Sequence, residues 1–188
     1  MTSRTKNIIF IVSAVAVVIG ISAFLLHRRK KVNNHVVFMG GLDYRSGDLK
    51  IDAQTELLKK GVGEKFTIDP YTYKDTDGVL NAIEELQNAP YVVLFSAGGS
   101  KSKSVAEKLK SKGFDLSKLY VVEPYTTSAN TKASVQSAIS LGMPEKNLIV
   151  GNSSNTGKGV TNNATSTPSC SPSHWCSITE VGKIISNK

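Results

Sequence analysis

From His35 onward, short apolar runs alternate with stretches of helical periodicity, and this beat limits the chain to few architectures. The runs are His35–Met39, Lys65–Ile68, Tyr91–Phe95, Leu119–Val122 and Asn147–Val150. Between them lie amphipathic patterns. Leu49, Ala53, Leu57 and Leu58 share one face of 48–60, with Gly61 as the expected stop. Val79, Leu80, Ile83 and Leu86 share a face after a cap at Asp75 or Asp77. Val105, Ala106 and Leu109 mark a helix over 101–112, and Thr131–Leu141 gives another. Brief apolar strands separated by helices of ten to fifteen residues predict an α/β fold, a three-layer sandwich around a mostly parallel sheet of five or more strands.

The beat stops at Gly151. Of the 22 residues 152–173, 14 are Ser, Thr or Asn, and they show no period. A polar loop is expected there, followed by a last helix with Ile178, Val181, Ile184 and Ile185 inward. The organisation predicted is an anchor over 1–31, an α/β core over 32–151, and a loop and helix over 152–188 that complete the same domain.

Ile8–Leu26 is free of charge and spans roughly 28 Å as a helix, close to the thickness of a bilayer core. It ends in His27-Arg28-Arg29-Lys30-Lys31 rather than in a small-residue cleavage site, so an uncleaved single-pass membrane helix is expected in the lipid bilayer. The basic flank favours the cytoplasmic side for the domain. Cys170 and Cys176, close enough to bridge, and the triplets beginning at Asn152 and Asn163 point to the opposite side. The formal charge of +8 is mostly local to this segment. Six Lys and Arg lie in residues 1–31 without an acid, which leaves 17 basic against 15 acidic residues beyond them. A nearly neutral domain without a basic, aromatic-interleaved stripe excludes nucleic acid as the expected partner.

The chemistry centres on Tyr91–Ser104. An apolar strand stops at Ser96, and Ala97-Gly98-Gly99 lead into a helix. A strand that turns sharply into a helix can hold one serine up at the sheet's carboxyl edge. The bland alternative is a polar residue in a tight turn. Residues 151–159 echo a phosphate loop, but the spacing is one residue long and Gly159 stands where Ser or Thr is needed, so no cofactor is expected. Three scattered histidines and a Cys-x5-Cys spacing give no metal site.

Across residues 35–186, the order of elements resembles a compact α/β-hydrolase of the lipase and esterase type. Leu94-Phe95-Ser96-Ala97-Gly98-Gly99 resembles the family's serine elbow, with Leu94 in place of the first glycine. Met39-Gly40-Gly41-Leu42 resembles its oxyanion loop, with Met39 where many members carry histidine. His174 falls late, before a final helix, as the family's histidine does. The resemblance implies Ser96 as nucleophile and His174 as base. It implies an oxyanion hole from the amide of Ala97 and that of Gly41 or Leu42. Glu123, ending the fourth strand, is the best-placed acid; Asp43 and Asp48 are weaker candidates. Two functions remain open on this reading: a membrane-tethered serine hydrolase acting on an ester or other acyl bond, or a structural membrane protein that keeps the fold within a larger assembly such as a virion or envelope complex.

Overall fold

The structure, a computed structural model, describes residues 34–42, 49–151, 159–167 and 174–188. The proposed anchor, its flank, Asp43, Asp48, Asn152 and Cys170 lie outside these residues. Among the described residues, no helix is long and apolar enough to cross a membrane.

Among the described residues, six strands pair in the order β2-β1-β3-β4-β5-β6, and each of these pairings is parallel. They are β1 (His35–Met39), β2 (Thr67–Tyr71), β3 (Tyr91–Phe95), β4 (Leu119–Val122), β5 (Leu148–Val150) and β6 (Thr165–Ser166). The helices are α1 (Ile51–Val62), α2 (Thr76–Glu85), α3 (Ser102–Ser111), α4 (Ala129–Ser140) and α5 (Cys176–Ser186).

Side-chain alternation along each strand divides the core in two. Val37, Met39, Val92, Leu94, Val121 and Leu148 face α2, α3 and α4. Val36, Phe38, Val93, Phe95, Val122 and Ile149 face α1 and α5. Because both faces are covered, the strands are apolar throughout rather than alternating. The face taken by each helix follows from the winding. The step from β1 to β2 runs one way across the sheet, and the steps from β2 to β3, β4 and β5 run the other way. With right-handed crossovers, α1 therefore lies on one face and α2 to α4 on the opposite one. The direction reverses between β1 and β3, and such a reversal opens a crevice at the strands' carboxyl ends.

Three sequence expectations shift. β2 begins two residues later than its apolar run and takes in Asp69-Pro70. A proline without a donor is accommodated because β2 is an edge strand, paired only to β1. Gly61 does not end α1. The helix runs to Val62 and closes at Gly63, whose φ is +83°, a conformation favoured by glycine. Gly61 instead faces Gly182 of α5, where a Cβ on either residue would come within 2.8 Å of the other's Cα. Finally, the polar loop contains β6, which extends the sheet beside β5. Two residues are too few to show a period.

Candidate functional site

Ser96 follows the last residue of β3 and opens a short 3-10 turn, Ser96–Lys101, ahead of α3. Its φ is +52°. A left-handed non-glycine residue stores strain and persists only where its surroundings enforce it. The surroundings here are the loops after the two neighbouring strands. A Cβ on Gly98 would come within 2.9 Å of the Met39 carbonyl oxygen, and one on Gly99 within 2.7 Å of Pro124 Cβ. The turn is thus wedged between the ends of β1 and β4, and the glycines make that fit possible. Leu94, which stands where the elbow pattern has its first glycine, is fully buried in the core beneath α2–α4. Ser96 and Ala97 stay partly exposed.

Glu123 follows β4 and extends its ladder, donating its N–H to the Ile149 carbonyl at 2.8 Å. Its φ is +48°. Among the described residues, Ser96 and Glu123 are the two non-glycine residues with positive φ. They stand at the ends of adjacent strands, where the backbone turns abruptly and the side chain is re-aimed across the sheet edge.

The Glu123 carboxylate is 1% exposed and faces the start of α5. One oxygen lies 3.3 Å from Nδ1 of His174, and the other accepts the Ser177 hydroxyl at 2.8 Å. A carboxylate at the first turn of a helix is also favoured by the helix dipole. Gly151, at the end of β5, leaves the space the carboxylate fills, since a Cβ there would overlap Glu123 Oε1. Ser177 lies 3.3 Å from Thr167 Oγ1, beside β6.

His174 rests over Phe95, the residue before Ser96, with ring centroids 4.6 Å apart, and Trp175 closes in at 5.4 Å from the imidazole. The imidazole therefore sits at the carboxyl end of β3. With Nδ1 turned to Glu123, Nε2 is the nitrogen left for a substrate or nucleophile. Ser96 Oγ makes no hydrogen bond among the described residues. Cys176, two residues beyond His174, is disulfide-bonded. The chain's other cysteine is Cys170.

Of the two amides the resemblance offers from the first loop, Gly41 N–H is taken: it donates to Gln54 Oε1 at 2.8 Å. Leu42 and Ala97 remain the candidates for an oxyanion hole. Ala97 lies in the first turn of a helix, where N–H groups have no partner within the helix. Gly41 nevertheless abuts the nucleophile position, since a Cβ there would lie 2.8 Å from Ser96 Cβ. Gln54, fully buried, also donates to the Leu49 carbonyl at 2.7 Å and so holds the loop against α1. Of the apolar face expected on α1, Leu58 is buried and Leu57 packs against the core, but Ala53 is exposed and Gln54 is buried. Gln54, Gly151, Thr167 and Ser177 carry no motif that would have singled them out.

Elsewhere, a cavity of about 350 Å³ is lined by Gln136, Ile139, Ser140, Glu145, Val160 and Thr161. Its carboxylate, Glu145, accepts hydrogen bonds from Thr161 and Asn163, which hold it below the usual carboxylate range. Among the described residues, no histidine or cysteine lines it. Among the described residues, no three His, Cys, Asp or Glu side chains converge on a point that could hold a metal ion. Comparison with family models, curated proteins and solved structures finds no match.

Proposed function

We propose that the chain is a serine hydrolase of α/β-hydrolase type acting on an ester or similar acyl bond. Ser96 is the nucleophile, His174 the general base and Glu123 the orienting acid. The observation that carries this reading is the pairing of a buried carboxylate with His174 Nδ1, beside a serine held in strained backbone at the adjacent strand end. Strain at a serine between a strand and a helix is what exposes a nucleophile.

An ionised Glu123 accepts from Nδ1–H, and the Nε2 lone pair then takes the Ser96 proton as Oγ attacks the acyl carbon. The oxyanion is received by the amides of Ala97 and Leu42. As the intermediate collapses, the imidazolium returns its proton to the leaving alcohol, and water repeats the sequence on the acyl-enzyme. The His174–Glu123 contact of 3.3 Å shortens as the imidazole becomes cationic, because catalytic hydrogen bonds tighten in the reacting complex. Ile8–Leu26 would hold this activity at a membrane surface.

A fluorophosphonate probe on the folded chain tests the proposal. Labelling is expected at Ser96, absent in Ser96→Ala and slowed about 10³-fold or more in His174→Ala. A folded protein that stays unlabelled overturns it. The unbonded Ser96 hydroxyl favours a second reading, a non-catalytic protein of a larger assembly. That reading predicts an unlabelled protein that migrates as a complex in native membrane extract.

A further inference from the structure

We propose that Ser177 is a positioning residue that keeps Glu123 ionised and thereby fixes the tautomer of His174. The inference rests on the hydrolase reading of this site and adds a fourth group to it. Ser177 is fully buried and donates to Glu123 Oε1 at 2.8 Å. A carboxylate only accepts, so the direction of that bond is set. With its single proton committed, Ser177 Oγ can only accept from Thr167 Oγ1, 3.3 Å away. The single Thr167 proton has two acceptors at 3.3 Å, the Val150 carbonyl and Ser177 Oγ. Turned to Ser177, it completes a run of donors from Thr167 through Ser177 to Glu123, while His174 Nδ1 meets the opposite carboxylate oxygen.

The chemical consequence follows from burial. A carboxylate withdrawn from water tends to take up a proton, and hydrogen bonds to its charged form oppose that. Were Glu123 protonated, it would donate to His174 Nδ1. The imidazole proton would then sit on Nε2, and the base would be lost. Ser177 acts through Glu123 by satisfying the oxygen that His174 does not use. The side chains whose contacts with Glu123 carry the argument are His174 from the loop before α5 and Ser177 from α5, with Thr167 from the end of β6 behind Ser177. Of these, His174 is the ionisable one. Cys176, next to Ser177, is disulfide-bonded and does not titrate.

Nitrogen NMR of the His174 ring in the full chain reads the tautomer directly, independently of turnover. The wild type is expected to hold the proton on Nδ1 near neutral pH. In Ser177→Ala, the pH below which that form disappears should rise by about one unit, because a hydrogen bond to the charged form is gone. Fluorophosphonate labelling should slow about tenfold near neutral pH, with its acid limb displaced in parallel. Thr167→Val, nearly isosteric, leaves the Ser177–Glu123 bond in place and should move both readouts the same way by less; it serves where Ser177→Ala does not fold. A wild-type tautomer profile in both variants overturns the proposal. If the tautomer shifts but the wild type is never labelled, Ser177 keeps its role toward Glu123 and the hydrolase reading alone falls.

Discussion

Gly151 shows how narrowly Glu123 is seated. Its φ is not among the positive ones, so its backbone would admit alanine without strain. The obstacle is space: a methyl group there would overlap Glu123 Oε1. In Gly151→Ala the carboxylate must turn from Ser177 and His174, or β5 must shift. Either outcome should lower stability by about 1–3 kcal/mol, the usual cost of overpacking a full site, and should slow labelling of Ser96 as well. Thermal unfolding together with the probe checks this, and an alanine variant matching the wild type on both counts would refute the seating. Residues of this kind are not legible in a sequence. Ser96, Glu123 and His174 can be named beforehand because strand order alone puts them at strand ends or before the last helix. Gly151, Ser177 and Gln54 act through close approach of distant segments, and no local spacing records that.

Helices α1 and α5 meet where Gly61 faces Gly182. By propensity alone, Gly182→Ala inside α5 should stabilise the helix by about 1 kcal/mol. The contact reverses the sign. The new methyl would lie 2.8 Å from Leu58 O, 2.8 Å from Gly61 Cα and 2.9 Å from Val62 N, and all three are backbone atoms that cannot rotate aside. A net loss on the order of 2 kcal/mol is expected, with the helices forced apart. Because α5 carries Ser177 and follows His174, labelling should slow too. Denaturant unfolding of Gly182→Ala decides between the two signs; a gain in stability would mean the helices do not pack this closely. The elements themselves are largely legible, because strands buried on both faces and helices with an apolar stripe leave periodic traces. The traces fail where a neighbour overrides local preference: at Gly61, which reads as a stop but serves as a contact, and in β2, whose apolar run ends at Ile68 while the strand continues through Pro70 on the sheet's edge.

At the scale of the molecule, residues 34–188 form one compact unit. Both faces of the sheet find their cover within it, α2 to α4 on one side and α1 with α5 on the other. The elements of the candidate site, from the loop after β1 to α5, fall in the same unit. The stretch of 17 basic against 15 acidic residues leaves it close to neutral, while the apolar run Ile8–Leu26 and its basic flank lie before it. Folding and chemistry should therefore separate from membrane association. A chain trimmed to 34–188 is expected to unfold in one cooperative transition within a few degrees of the full-length protein. It should be labelled at Ser96 at the full-length rate and remain in the aqueous phase on detergent phase separation, whereas the full chain enters the detergent phase. If the trimmed chain enters the detergent phase equally well, the domain surface rather than the apolar run holds the protein at the lipid. If it fails to fold, residues 1–33 contribute to the core, and the self-contained sheet described above is wrong.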